Sequence, residues 1–295
     1  MNKSIISFTL ALLVSQNLLC FGFEKTQSEE LTKKYQDNPQ AKATSVEELF
    51  FRGLVKQIQG NHEFAIEDYN KVLSLEADDQ DTLANRCGLF TELEKYQNAI
   101  ADCLKAISLG GENSDAIYFN LGLAQQQSGD FSSALKSFQE FRGYAQKNKD
   151  INLIEKADSR VDLIQRALKG QITKSSVNDY FKANDESLKG NLEQAANLYQ
   201  RSIRISPNFA EAYLELANIN AMQKNYDSAF ANYKQAEKIN PSLLAIYNNR
   251  AAVWIQYKKD YKSAKKDLKK AKSVAKDKGQ KDVIKYFEEA IKQLE

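Results

Sequence analysis

The chain has 295 residues, a net charge of +2 and 42% apolar residues. So small a charge supplies no global attraction to nucleic acid or an anionic membrane, while the apolar share is enough for a sizeable core. Three prolines and twelve glycines, set against abundant Ala, Leu, Lys, Glu and Gln, favour helix over sheet and place the chain in the all-α class.

The first segment reads "MNKSIISFTLALLVSQNLLCFGFEK". Lys3 precedes an apolar run from Ile5 to Val14, and Ser15, Gln16 and Asn17 interrupt it before it reaches the length of a stable membrane span. This is the layout of an export signal over residues 1–22, with Cys20 and Gly22 as the small residues ahead of a cleavage site. Lipidation at Cys20 is the less favoured alternative, because Leu18 and Leu19 stand where a small residue is wanted just before the cysteine. The expected location is therefore periplasmic, extracellular or a secretory lumen. Residues 23–45 are polar, contain Pro39 and read as a flexible leader.

From residue 46 onward one frame recurs. "GNHEFAIEDYNKVLSLEA" begins at Gly60, "GNLEQAANLYQRSIRISP" at Gly190 and "KNYDSAFANYKQAEKINP" at Lys224. Each has a turn residue, an apolar residue, an alanine and then an aromatic or other apolar residue four positions on. The alanines are Ala65, Ala99, Ala134, Ala195, Ala229 and Ala264, spaced by 34, 35, 61, 34 and 35 residues. A period near 34 is the mark of a helical solenoid.

Ahead of each alanine lies a matching first helix, such as "AEAYLELANINAMQ" from Ala210 or "LAIYNNRAAVWIQY" from Leu244, so each unit is two antiparallel helices. Small residues in the first helices (Gly53, Gly122, Ala217, Ala251) let backbones approach. Tyr69, Phe138, Tyr199 and Tyr233 fill the space between successive units.

The wide interval holds a further helix. Asp150 caps it, Ile154, Ala157, Val161, Ile164 and Leu168 form its apolar face, and Lys169 and Gly170 end it. The organisation expected is three repeats over 46–145, a linking helix over 146–175, three repeats over 176–275 and a capping helix over 276–295. The cap carries the stripe Val283, Tyr286, Phe287, Ala290, Ile291 and Leu294.

Material for catalysis is scarce, and no enzyme activity or cofactor is expected. His62 is the single histidine and falls in a turn, which leaves no histidine–cysteine metal set. Cys87 and Cys103 fall at the middles of the two helices of one hairpin, equidistant from its turn. They are either two small buried thiols or a disulfide in an exported protein. The lysines from Lys258 to Lys272 read as a solvated helix face, with an anion-binding patch as the alternative.

In the fifth unit, Tyr213, Leu216, Ala217, Tyr226, Ala229, Tyr233, Ala236 and Pro241 stand at marked positions, and in the fourth Gly190, Ala195, Tyr199 and Pro207. On these residues the chain resembles the tetratricopeptide repeat family from about Val46 to Val274. Ala77 and Gly111 depart from the closing proline, and Leu268 from the aromatic.

The resemblance implies a right-handed helical solenoid whose first helices line a concave face. Carried over by position, that face comprises Phe50, Leu54, Ala84, Gly88, Phe119, Leu123, Tyr180, Asn184, Leu214, Asn218, Met222 and Asn248. Asn184 and Asn218 resemble asparagines that grip the backbone of an extended peptide. The family's chaperone-tail clamp also needs lysine and arginine on this face, which Phe50, Leu54, Phe119 and Leu123 do not supply, so that ligand class is not expected. The function implied is an exported scaffold that binds a peptide or protein segment in its groove for assembly of an envelope or secretory complex. The alternative is a lumenal or periplasmic co-chaperone holding unfolded chains. Protein partners are expected; nucleic acid, and a membrane span after signal removal, are not.

Overall fold

A residue in the left-handed backbone region punctuates the chain at a fixed place. Gly60, Glu94, Gly129, Gly190, Lys224 and Lys259 all have positive φ, and each stands five positions before one of the anchoring alanines. Such a residue ends one helix and turns the chain back for the next. The computed structural model describes residues 25–38, 41–110 and 114–294. They fall into two compact units, the first ending at Asp162 and the second beginning at Leu163. The expected export signal, Cys20 included, lies outside the described residues.

In the first unit α1 (Lys25–Asp37) precedes three hairpins: α2 (Val46–Ile58) with α3 (His62–Leu75), α4 (Gln80–Glu92) with α5 (Tyr96–Leu109), and α6 (Ser114–Gln127) with α7 (Phe131–Lys147). Helix α8 (Ile151–Leu168) contains the unit boundary. The second unit holds α9 (Lys174–Leu188) with α10 (Leu192–Ile205), and α11 (Ala210–Met222) with α12 (Tyr226–Ile239). It closes with α13 (Leu244–Val253) paired to α14 (Tyr261–Asp277), and then α15 (Lys281–Lys292). Every regular element among the described residues is helical, as the composition implies. Ser45, Asp79, Asp130, Thr173 and Asp260 cap helix starts, each side chain accepting a backbone N–H three residues on.

The helices of a hairpin meet across small residues. All six anchoring alanines are fully buried. A Cβ added to Gly53 would lie 2.6 Å from the Tyr69 ring, and one added to Gly122 would lie 2.9 Å from that of Phe138. These glycines are small because an aromatic ring from the second helix lies against them.

Two features differ from the expectation. The polar segment read as a flexible leader is helical over Lys25–Asp37. Tyr35 is fully buried with its ring 6.5 Å from that of Phe51, and both Lys34 Nζ (3.0 Å) and the Tyr35 hydroxyl (3.2 Å) donate to Glu48. In the closing helix Phe287 is buried as expected, but Tyr286 is 58% exposed, and Ile284 packs in the core instead.

The last hairpin carries an extra residue. Helix α13 continues as a π-helical segment, Trp254–Lys258. At the other five hairpins the residue after the left-handed one donates its N–H to the carbonyl five residues back, as Asn191 does to Glu186. Here Asp260 donates to Trp254, six residues back, over 3.1 Å. The wider turn absorbs the addition inside the helix, and Trp254 stacks on Phe230 with ring centroids 3.9 Å apart.

Candidate functional site

Ion pairs join first helix to second in several hairpins. Arg52 forks onto Asp68 (2.8 and 2.6 Å), Arg86 onto Asp102 (2.6 and 2.7 Å) and Arg250 onto Asp267 (2.8 and 2.7 Å). Lys56 adds a second cation to Asp68 at 2.9 Å. Burial would raise the Asp68 carboxyl, but hydrogen bonds from Arg52 and Lys56 outweigh it and hold the group below the usual carboxylate range. In the fourth hairpin the order is reversed, with Arg201 of the second helix forked onto Asp179 of the first. Sequence reasoning passed over this ladder, although its signal was present: in the first two hairpins arginine stands thirteen residues before the alanine and aspartate three after.

The two cysteines are bonded, with Cα atoms 5.5 Å apart and both residues fully buried. They take the frame positions held elsewhere by Gly53 and Tyr69, Gly122 and Phe138, Ala183 and Tyr199, and Ala217 and Tyr233. Where these four hairpins set a ring against a small residue, the second sets a covalent bridge.

The residues carried over to the inner face separate by unit. In the first unit Phe50 and Leu54 are buried, the Phe50 ring lying 6.0 Å from that of Tyr69. Phe119 is half-buried beneath Lys156 Nζ at 3.8 Å, and Ala84, Gly88 and Leu123 are also half-buried. In the second unit Leu214 is buried, as is Tyr180, whose ring lies 5.0 Å from that of Phe209; Met222 is 61% exposed. Phe50, Leu54, Tyr180 and Leu214 thus pack within their own units and offer little surface to a ligand.

The polar members of the second unit do come together. The Tyr199 hydroxyl donates to Asn184 Oδ1 over 2.6 Å, and the Tyr233 hydroxyl to Asn218 Oδ1 over 2.7 Å. Burial holds both phenols well above the usual tyrosine range, so they remain donors at neutral pH. With each oxygen taken by a hydroxyl, each amide NH2 is turned elsewhere. Asn218 donates to Glu215 Oε2 over 3.0 Å, and the Asn184 NH2 has no partner among the described residues. Asn249 Nδ2 joins at 3.2 Å from Asn218 Oδ1, and Asn248 lies beside Asn249 at 3.4 Å. Glu215 and Asn249 were not anticipated; in the sequence they are ordinary polar positions of a helix.

His62 Nδ1 sits 3.7 Å from Glu92 Oε2. Among the described residues no three His, Cys, Asp or Glu side chains are grouped to hold a metal, and no helix is long and apolar enough to cross a membrane. On α14, Lys262, Lys266, Lys269 and Lys270 are exposed, and Lys270 pairs with Glu237 at 2.6 Å.

Family models for a TPR repeat and a tetratricopeptide repeat match residues 184–224 and 210–243. Over residues 184–243 the chain matches tetratricopeptide repeats. The matched stretch contains Asn184, Glu215 and Asn218. Hsp70-Hsp90 organizing protein 3 of Arabidopsis thaliana is 28% identical over 228 residues, 76% of this chain and 36% of that protein. Hsp70-Hsp90 organizing protein 1 of Glycine max is 30% identical over 193 residues, 65% of this chain and 29% of that one. The chain thus spans about a third of the length of these curated relatives. Among solved structures, the TPR2AB-domain:pHSP90 complex of yeast Sti1 is 18% identical with a TM-score of 0.39, covering 84% of this chain and 98% of that one. A tetratricopeptide repeat protein from Parabacteroides merdae is 18% identical with a TM-score of 0.38, covering 95% and 98%.

Proposed function

We propose that the repeats form a non-catalytic protein-interaction scaffold, in which an extended protein segment lies along the first helices of the second unit. The observation that carries this reading is the fixed orientation of Asn184 and Asn218. Each is held through its oxygen by a tyrosine hydroxyl of its own hairpin, which leaves the Asn184 NH2 and the second N–H of Asn218, whose first is on Glu215, as donors for a ligand backbone at little cost in side-chain ordering.

The same proposal places the chain in an exported setting, serving an envelope or secretory complex. The pattern of residues 1–22 favours export, and the buried Cys87–Cys103 bridge suits an oxidising compartment. A second reading, a co-chaperone holding unfolded chains or adapting them to a chaperone, is favoured by the likeness to Hsp70-Hsp90 organizing proteins.

Affinity capture with the full chain, wild type against Asn184→Ala/Asn218→Ala, separates these readings. A scaffold enriches one or two partners and loses them in the double variant. A holdase instead suppresses aggregation of unrelated clients and keeps doing so in the variant. Partners retained unchanged by the double variant would remove the second-unit face from the proposal.

A further inference from the structure

Among the described residues, most of the strongly enclosed carboxylates come with cations. Asp68 has Arg52 and Lys56, Asp102 has Arg86, Asp179 has Arg201, Glu211 has Arg166, and both Glu237 and Asp267 have Arg250. Glu215 does not follow this rule. Its one polar contact among the described residues is the Asn218 amide on Oε2, and Oε1 has no hydrogen-bond partner there. The residue is half-buried on α11, within the stretch that carries Asn184, Asn218 and Asn249.

The nearby polar groups do not substitute for a cation. The Tyr199 and Tyr233 hydroxyls are committed to Asn184 and Asn218, and Asn249 to Asn218. Arg250 is committed to Asp267 and Glu237. A carboxylate withdrawn from water without a counter-charge is costly, and a cation supplied from outside relieves that cost.

We propose that Glu215 is the specificity residue of this face and receives an ammonium or guanidinium group, so that the bound segment is a basic one, with lysine or arginine opposite α11. Burial, which raises the Glu215 carboxyl above its ordinary range, agrees with a site that gains by acquiring a positive charge. The inference rests on the reading that the first-helix face of the second unit takes a protein segment. It adds the sign of that segment's charge.

The test uses the full chain and three series of fluorescently labelled extended peptides that share one neutral backbone and carry at their centre arginine or lysine, alanine, or glutamate. The basic series is expected to bind more tightly than the neutral one and the acidic series least. Glu215→Gln, which keeps shape and the Asn218 contact, should weaken the basic series at least tenfold, about 1.4 kcal/mol, and leave the neutral series unchanged. Glu193→Gln, on the exposed side of α10, should change none of them. Equal affinity for the three series, or unchanged affinity of Glu215→Gln for the basic one, overturns the inference and leaves the wider reading standing, because neutral peptides still bind. Failure of every series to bind overturns it as well. In that event, partner capture that survives Asn184→Ala/Asn218→Ala removes the wider reading, whereas capture lost in that variant keeps it.

Discussion

The first two hairpins solve one packing problem with different chemistry. In α2–α3, Gly53 lies under the Tyr69 ring, and Arg52 and Lys56 converge on Asp68. In α4–α5, Cys87 is bonded to Cys103 at those same ring and glycine positions, with a single arginine, Arg86, on Asp102. The repeat frame therefore fixes a separation between two backbones and a volume to fill. It leaves open whether a ring or a sulfur bridge does the filling.

The contrast can be broken from either side. The largest effect is expected from Asp68→Ala, which strands Arg52 and Lys56 with their side chains only 10% and 4% exposed. A loss of about 3–5 kcal/mol follows, measurable by denaturant unfolding followed by circular dichroism. In the second hairpin, Cys87→Ala/Cys103→Ala or reduction should cost about 3 kcal/mol, and reductant should then have no further effect on the double variant. Gly53→Ala drives a methyl into the buried Tyr69 ring and should cost about 1–3 kcal/mol. Its counterpart Cys87→Gly, with Cys103→Tyr, should restore much of what the bridge variant loses, if the frame specifies volume alone.

The smallest effects are expected at the turns. Gly60 has φ of 78° and Glu94 has 59° at the same frame position. Glu94→Gly should gain about 1 kcal/mol, and Gly60→Ala should lose a similar amount. Acid probes the tether of α1. Burial would raise Glu48, but the Thr44 N–H, Lys34 and the Thr44 hydroxyl outweigh it and bring the carboxyl down to about 2 from 4.5. Because the folded value is the lower one, the tether contributes fully above pH 4.5 and is lost as pH falls from there toward 2. Limited proteolysis with an acid protease should therefore cut within α1 before the hairpins, and Glu48→Gln should allow that cut at higher pH.

Much of this fold was legible because its strongest signal is local. An alanine that must touch a neighbouring backbone, with a ring one helical turn later, marks a hairpin wherever it falls. That Cys87 and Cys103 face each other followed from the same frame, whereas the choice between two buried thiols and a bridge did not. Helix α1 was missed because only Leu31 and Tyr35 among its described side chains are buried, and two apolar residues make no periodic pattern. The extra residue in α13 was missed because counting forward from the turn hides an insertion before it. Phe50, Leu54, Tyr180 and Leu214 were assigned to a ligand face because the same helical period serves both packing and binding. Glu215 escaped for a different reason: what distinguishes it is a missing cation, and a missing partner is a fact of three dimensions.

The π-helical segment Trp254–Lys258 also bears on how this architecture tolerates change. Arg250 still reaches Asp267, although they are 17 residues apart and the matching pairs in the first two hairpins are 16 apart. One wide helical turn confines the added length, so neither the turn at Lys259 nor the partner helix is displaced from its place in the frame. A repeat helix of this kind acts as an expansion joint. The single residue gained here is taken up locally, and Arg250 and Asp267 keep their pairing.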